Sequence, residues 1–292
     1  MVESSGSGRS PLRFILTLIF VVILPLALGL LIAPRLVPKP KVGIIRLNYD
    51  IFNETTFDVT EQLAYAREEP SIKAVVLILN SPGGLAAYSE ELYLDVLNTR
   101  AQIPVVASVD LVAASGAYYM AAAADEIYAK PTSSVGSIGV IAFLPGPVYI
   151  EEEVLTTGPY KSFGGTREGA VRQIERAKFA FLEAVQNGRG EKLAISLDEL
   201  SRAEIYTGMQ ALELGLVDGL LSNEEAAARA GTLAGLSNYD VVELYPLTFD
   251  NGGVAPLAHY QPPPLDVEKL WAAPSDLPPG LYYRYIELPS NR

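Results

Sequence analysis

The chemistry open to this chain turns on one serine and on the bases it could use. Ser115 sits in Ala113-Ala114-Ser115-Gly116-Ala117-Tyr118-Tyr119, where an apolar run gives way to a helical pattern. Its small neighbours would let a substrate backbone come close. The N–H of Gly116, one residue on, could hold an oxyanion, as in a nucleophile elbow that lacks the usual G-x-S-x-G letters. The same residues also suit a plain N-cap serine opening a tightly packed helix, and the motif alone leaves both readings open.

A serine hydroxyl needs a base to become a nucleophile. The single histidine, His259, lies in the Pro-rich stretch APLAHYQPPPL near the C-terminus. Such a segment is a poor mount for a catalytic imidazole. The chain has no cysteine, so disulfides, a thiolate nucleophile and Cys-based zinc sites are excluded, and one histidine rules out His-rich metal sites within a chain. No cofactor is expected. Lysine is then the natural base. Lys39 and Lys41 follow the apolar N-terminal run, Lys73 starts a strand pattern, Lys178 and Lys192 lie on or after a long helical pattern, and Lys269 is in the C-terminal segment. Lys130 ends a strand pattern and stays a contender. Lys161 lies in the nearly uncharged loop Gly158-Pro159-Tyr160-Lys161-Ser162-Phe163-Gly164-Gly165. A lysine buried among such groups gives up its proton more readily, as a base must. A solvated lysine in a glycine-rich loop is the competing reading.

Two more segments carry candidate groups. Asn80-Ser81-Pro82-Gly83-Gly84 follows a strand pattern and opens a helix, so its glycines could aim bare N–H groups at an oxyanion or simply make a tight turn. Thr132-Ser133-Ser134-Val135-Gly136-Ser137-Ile138-Gly139 offers hydroxyls that could orient an amine, and equally reads as a Ser/Gly turn.

These segments need a scaffold, and the surrounding pattern predicts an α/β domain. Strands are expected over 42–47, 74–80, 104–109 and 125–130, with helices over 55–67, 85–100, 115–124 and 168–188 between or after them. The run 74–80 (AVVLILN) is continuously apolar, as in a strand buried on both faces. The helix over 168–188 carries Val171, Ile174, Ala177, Phe181, Leu182 and Val185 on one face. Ahead of the domain, residues 14–33 (FILTLIFVVILPLALGLLIA) hold no charge and would span about 30 Å as a helix, which predicts a retained transmembrane anchor kinked at Pro25. Arg9 and Arg13 precede it, whereas Arg35, Lys39, Lys41 and Arg46 follow it; the positive-inside rule thus gives a cytoplasmic N-terminus no support. The expected organisation is a short segment 1–13, the anchor 14–33, a linker 34–41, the α/β domain 42–245 and a Pro/Tyr-rich tail 246–292. The net charge of −12 makes nucleic acid an unfavourable partner.

Taken together, NSPGG, ASGAYYMAAAADEIYA, GSIGV and GPYKSFGGTRE, in that order across residues 42–244, resemble the signal peptide peptidase A family of serine peptidases. The resemblance implies a crotonase-like (Clp protease-like) fold of repeated ββα units and a Ser-Lys dyad. It carries the nucleophile onto Ser115, the general base onto Lys161 and the base-orienting serine onto Ser137. It puts Gly83 and Gly84 on the oxyanion loop, joined by Gly116. Where the family usually has glycine two residues after the serine, this chain has Ala117. The resemblance further implies a homo-oligomer whose active sites are shared between subunits, a single-pass anchor in the cell membrane with the peptidase domain outside the cytoplasm, and extended apolar peptides such as signal-peptide remnants or unfolded segments as substrates. Three other readings share parts of this pattern: a membrane peptidase acting on a stomatin-like partner, an acyl-CoA-binding crotonase enzyme, and a non-catalytic membrane scaffold.

Overall fold

The computed structural model describes residues 11–29, 39–143, 157–158, 160–161, 164–249 and 280–284. The chain divides into two units, Met1–Pro40 and Lys41–Arg292.

The described part of the first unit is a helix. It is α-helical over Pro11–Leu18, π-helical over Ile19–Ile23 and α-helical again to Gly29. The π turn has a local cause. Pro25 has no N–H and cannot complete the bond to the carbonyl four residues before it, and just ahead of it the N–H of Leu24 reaches back to the carbonyl of Ile19. Such a one-turn widening absorbs the defect without breaking the helix. The stretch Leu12–Gly29 is long and apolar enough to cross a membrane, and its side chains are exposed. Residues 30–33 of the expected span lie outside the described residues.

The second unit is the expected α/β domain. Strand β1 (Lys41–Asn48) leads to helix α1 (Asn53–Glu68). Strand β2 (Ile72–Ser81), the short β3 (Gly83–Leu85) and helix α2 (Ala86–Arg100) form a ββα unit. Strand β4 (Val105–Ala114) leads to helix α3 (Gly116–Ala121), then come β5 (Glu126–Ala129), β6 (Ser134–Gly136) and β7 (Ile141–Phe143). Helix α4 (Arg167–Arg189), β8 (Ile205–Thr207), β9 (Gly219–Leu220), α5 (Asn223–Leu233), β10 (Asp240–Glu243), α6 (Tyr245–Phe249) and β11 (Gly280–Arg284) follow, with a 3-10 turn over Gly190–Lys192 and short helices over Leu197–Leu200 and Gly208–Glu213 between α4 and β9. The main sheet runs β10-β1-β2-β4-β5-β9, and all the pairs along this path are parallel. Helices cover both faces. One face joins α1–α4 in the larger core, with Leu63, Leu92, Met120 and Phe181 fully buried. The other packs Val42, Ile44, Val76 and Ile78 on Ala226, Ala227 and Ala230 of α5. Burial on both faces is why β2 reads as an unbroken apolar run.

Three expectations change in detail. Strand β4 does not stop at Val109 but continues to Ala114. On α4, only the C-terminal half packs: Phe181, Leu182 and Val185 are buried, whereas Val171 is half exposed. The apolar face of α4 is thus longer than the body it covers. The tail expected from 246 begins inside α6, whose Phe249 ring lies 6.2 Å from that of Phe57 on α1.

The far end of α4 is anchored by charge. Arg189, with its side chain 2% exposed, makes two hydrogen bonds to the Asp218 carboxylate, of 2.7 and 3.0 Å, and Lys192 adds a third at 2.6 Å. Burial by itself would raise the Asp218 pKa, but the bonds from Arg189 and Lys192 outweigh it and hold the carboxyl below its ordinary value. A folded-state value below the unfolded one gives stability that is complete above the ordinary carboxylate range and is lost as pH falls. Asp218→Ala leaves Arg189 buried without its partner and is expected to cost about 3–5 kcal/mol in denaturant unfolding of the detergent-solubilised chain at neutral pH. The difference from the parent should shrink below about pH 4; a cost that does not vary with pH would count against the charge pair as its origin.

Candidate active site

The site is built at the C-terminal ends of the central strands, where a parallel α/β sheet presents its loops. Its geometry begins with an irregularity in β4. Strands β2 and β4 run in register up to Leu79↔Val109, but the next pair is Ser81↔Ala113. One residue of β2, Asn80, therefore faces three of β4, residues 110–112. The bulge redirects β4. Before it, β4 pairs with β5; after it, β4 pairs with β6, through Val112↔Ser134, Ala113↔Val135 and Ala114↔Gly136.

A polar cluster holds the bulge. Asn80 Oδ1 accepts from the Leu111 N–H at 2.6 Å, while its Nδ2 donates to Asp110 Oδ2 at 3.1 Å and to Asn48 Oδ1 at 3.3 Å. Lys130 Nζ forms an ion pair with Asp110 Oδ1 and also donates to the Asp110 carbonyl, 3.2 Å, and to Asn223 Oδ1, 3.3 Å. Buried Ser133 donates to the carbonyls of Val109 and Asp110 at 3.2 and 3.1 Å. Of the Ser/Gly segment 132–139, then, Ser133 serves the bulge. Lys130 Nζ is held by three acceptors at the bulge and is not hydrogen-bonded to Ser115 Oγ.

Ser115 follows directly. Its N–H donates to the Gly136 carbonyl at 2.8 Å, extending the β4–β6 pairing by one step. Its backbone takes φ 54° and ψ −121°, a conformation that costs a non-glycine residue about 1–3 kcal/mol. Its side chain is buried, and Oγ has no hydrogen-bond partner among the described residues. An N-cap serine would give that oxygen to an amide of the first helical turn, and Ser115 makes no such bond. The plain N-cap reading therefore fails on this geometry. Helix α3 starts at Gly116, and the amide there has no acceptor within its own helix. The helix is fixed from behind. Tyr118 donates to the Leu216 carbonyl at 2.7 Å, and the Tyr119 ring stacks on Tyr93 of α2 and meets Phe181 of α4 edge-on, both at 4.9 Å between centroids.

The β4–β6 register brings Ser137 beside Ser115, since the residues after Ala114 and Gly136 are those two serines. Ser137 also has positive φ, 52°, and its N–H donates to the Glu204 carbonyl at 2.8 Å. Gly83 has φ 97°, and Gly84 runs so close to Ile51 that a Cβ there would lie 2.1 Å from the Ile51 carbonyl oxygen. Glycine is required at both for these reasons. The Gly83 amide is engaged with Ser81 Oγ at 3.2 Å, a contact that an oxyanion would have to displace.

For Lys161 the single chain shows the solvated of the two arrangements left open by the sequence. Its side chain is exposed rather than buried, and its N–H closes a turn onto the Gly158 carbonyl at 3.2 Å. With no partner on Ser115 Oγ among the described residues, Lys161 of the same chain is not hydrogen-bonded to it. The structure thus joins Ser115, Ser137 and Gly116 through β4, β6 and α3, and shows no hydrogen bond from Lys161 to Ser115 Oγ. Ser162 and Phe163, which flank it in sequence, lie outside the described residues.

Asp110, Asn48 and Asn223 were not singled out from the sequence. Asp110 carries a visible signal, as the one charge inside the run VVASVDLVAAS. Its burial alone would raise its pKa, but the bonds from Lys130, Asn80 and Asn223 prevail and lower it. Its stabilisation is accordingly present above the ordinary carboxylate range and lost as pH drops through the lowered value. Asp110→Asn is expected to lower stability at pH 7 and to flatten the loss of stability below about pH 4, as followed by thermal unfolding across pH; an unchanged acid limb would contradict the role given to Asp110.

Comparison with known proteins follows the same residues. The description Peptidase family S49 matches residues 98–237, which include Ser115, Ser137 and Lys161, and the description Clp protease matches residues 40–135, which include Gly83, Gly84 and Ser115. A candidate protease of Synechocystis sp. is 38% identical over 192 residues, covering 61% of this chain and 68% of that one. A candidate signal peptide peptidase of Enterococcus faecium is 33% identical over 182 residues, with 56% of this chain and 52% of its own length covered. Protease 4 of Salmonella typhi is 31% identical over 192 residues, 61% of this chain but only 31% of that protein. The match thus spans about two thirds of the first of these relatives and a much smaller share of the longer ones. With the α/β architecture and the order of the motifs, these matches establish that the chain belongs to the S49 family of serine peptidases, the signal peptide peptidase A family.

Proposed function

We propose that the chain is a membrane-anchored serine endopeptidase in which Ser115 attacks the peptide carbonyl and Lys161, supplied by a neighbouring subunit, is the general base. The observation that carries this reading is the state of Ser115: a strained backbone, a buried Oγ and no hydrogen-bond partner for it among the described residues. A buried hydroxyl left unpaired is costly, and strain of this kind is kept where function requires it.

In the proposed reaction Lys161 takes the Ser115 proton as Oγ bonds to the carbonyl carbon. Ser137, beside Ser115 in the β4–β6 register, holds the amine in line. The Gly116 amide and the Gly83/Gly84 loop bind the oxyanion. The protonated amine then gives its proton to the leaving nitrogen as the C–N bond breaks, and a water deprotonated by the same lysine releases the acyl group. The exposure of Lys161 in the single chain supports a shared site. A neighbouring subunit closing over its loop would strip water from the amine and favour the neutral form a base needs. The exposed Val171 and Phe179 on α4 would suit such a contact. The N-terminal apolar helix is consistent with membrane anchoring; an extracytoplasmic peptidase domain and apolar, extended substrates such as signal-peptide remnants complete the proposal.

Ser115→Ala and Lys161→Ala are each expected to lower kcat/KM on an unfolded protein by about 10⁴-fold or more. Co-assembling the two inactive variants in equal amounts distinguishes a shared site from one within a chain. If sites form between subunits, random mixing should restore activity to about a quarter of the parent's, since half the sites have the serine and half of those meet an intact lysine. Activity that stays at the level of the single variants contradicts a shared site, and full activity in either variant alone contradicts the dyad.

A further inference from the structure

The oxyanion loop is not left as an open edge. Strand β11, from the C-terminal segment, runs antiparallel to β3 through Tyr282↔Leu85, Tyr283↔Gly84 and Arg284↔Gly83. Its other side runs antiparallel to β7 through Gly280↔Phe143, Leu281↔Ala142 and Tyr282↔Ile141. These three strands form a separate sheet in the order β3-β11-β7, and β11 also lies against α3, the helix that begins one residue after Ser115.

The middle strand thus comes from a distant part of the sequence, while the outer two belong to the site. Strand β3 holds Gly83 and Gly84, and β7 begins four residues after Ser137. Without β11, β3 and β7 would face each other across a slot one strand wide, about 9.5 Å between their axes. Each would present unpaired N–H and C=O groups to it. A slot of that form accepts an extended peptide by main-chain pairing on both sides, with little regard to sequence. Strand β11 is an extended peptide in that slot, at the residues placed to stabilise an oxyanion.

We infer that β11 is an intrasteric pseudosubstrate: the C-terminal segment fills the peptide-binding slot between β3 and β7 and must leave before a substrate can pair there. As an inhibitor of hydrolysis this rests on the peptidase reading above; as the occupant of a peptide slot it does not. A tethered strand competes at high effective concentration, so the apparent affinity for a free peptide falls by the fraction of slots that are open. The strand need not be bound tightly to be an effective gate, and local concentration of substrate would displace it.

The test substitutes the pairing rather than the site. Successive amides of a strand point to opposite neighbours, so Tyr282→Pro/Tyr283→Pro removes one donor from each side of β11. Tyr282→Ala/Tyr283→Ala keeps both amides and serves as the control. In a Ser115→Ala background, which removes the nucleophile, binding of a fluorescent peptide of residues 278–287 is followed by anisotropy on the full-length protein in detergent. The Pro variant is expected to bind it about tenfold or more tightly than the parent and the Ala control. Equal binding by all three overturns the proposal. With Ser115 restored, the same Pro substitutions should lower KM for an unfolded protein while leaving kcat near the parent value, and the free peptide should inhibit competitively. Tighter peptide binding without hydrolysis in any variant would keep the slot and refute the peptidase reading. Cleavage within residues 280–284 of the parent, seen as a shorter intact mass, would make the strand a substrate and overturn the inhibitory role.

Discussion

The site depends on where β4 bends. A parallel strand that paired with β5 along its whole length would carry Ser115 away from the Ser/Gly segment. Instead Asn80 on β2 faces three residues of β4, and the strand changes partner from β5 to β6 at that point. Asp110, inside the bulge, collects hydrogen bonds from Lys130, Asn80 and Asn223, which come from β5's end, β2 and α5. Four elements are thus tied at one carboxylate. The two serines become neighbours only because this irregularity delivers β4 to β6, and bulges are commonly found where a strand must re-aim a side chain.

The strained backbone of Ser115 sits where this arrangement ends. The Ser115 N–H is fixed to the Gly136 carbonyl, while the next residue must start α3. Ser115 makes this junction at positive φ, 54°, whereas Leu85, bonded across to Ile51 one residue before α2, keeps φ −64°. The surrounding structure is stiff enough to hold it there. Tyr118 is buried and hydrogen-bonded to Leu216, and the rings of Tyr93, Tyr119 and Phe181 lock α2, α3 and α4 together. Burial pushes the phenols of Tyr118 and Tyr119 well above their ordinary range, consistent with a neutral, dry support behind Ser115. Small residues from Ala121 to Ala124, all buried, let that support pack close.

Much of this was readable in the residues. The apolar run of β2, the glycines after it and the small-residue segment around Ser115 announced two strand-to-helix turns, because those patterns are local. The end of β4 was not readable. Asp110 looks like the end of a strand, and only its partners on three other elements show that the strand continues. The adjacency of Ser115 and Ser137 was likewise hidden, since it depends on pairing between segments twenty residues apart. Lys130 could be weighed from sequence only as one lysine among several, and its ion pair with Asp110 decides its role. The apolar face of α4 was visible, but not that Val171 would be left uncovered. The strand β11 lies in a segment whose prolines and tyrosines suggested only an extended chain, and its partners are some two hundred and one hundred and forty residues away.

In the proposed mechanism Ser115 is a buried, strained nucleophile whose base comes from a neighbouring chain. The most direct measurement is the distance from Ser115 Oγ to Lys161 Nζ in an experimental structure of the assembled protein, taken within each chain and across each subunit contact. The account predicts a separation of about 2.6–3.2 Å across a contact, with Ser137 next to the pair. An assembly in which Lys161 stays in solvent and Ser115 Oγ remains without a partner would contradict it.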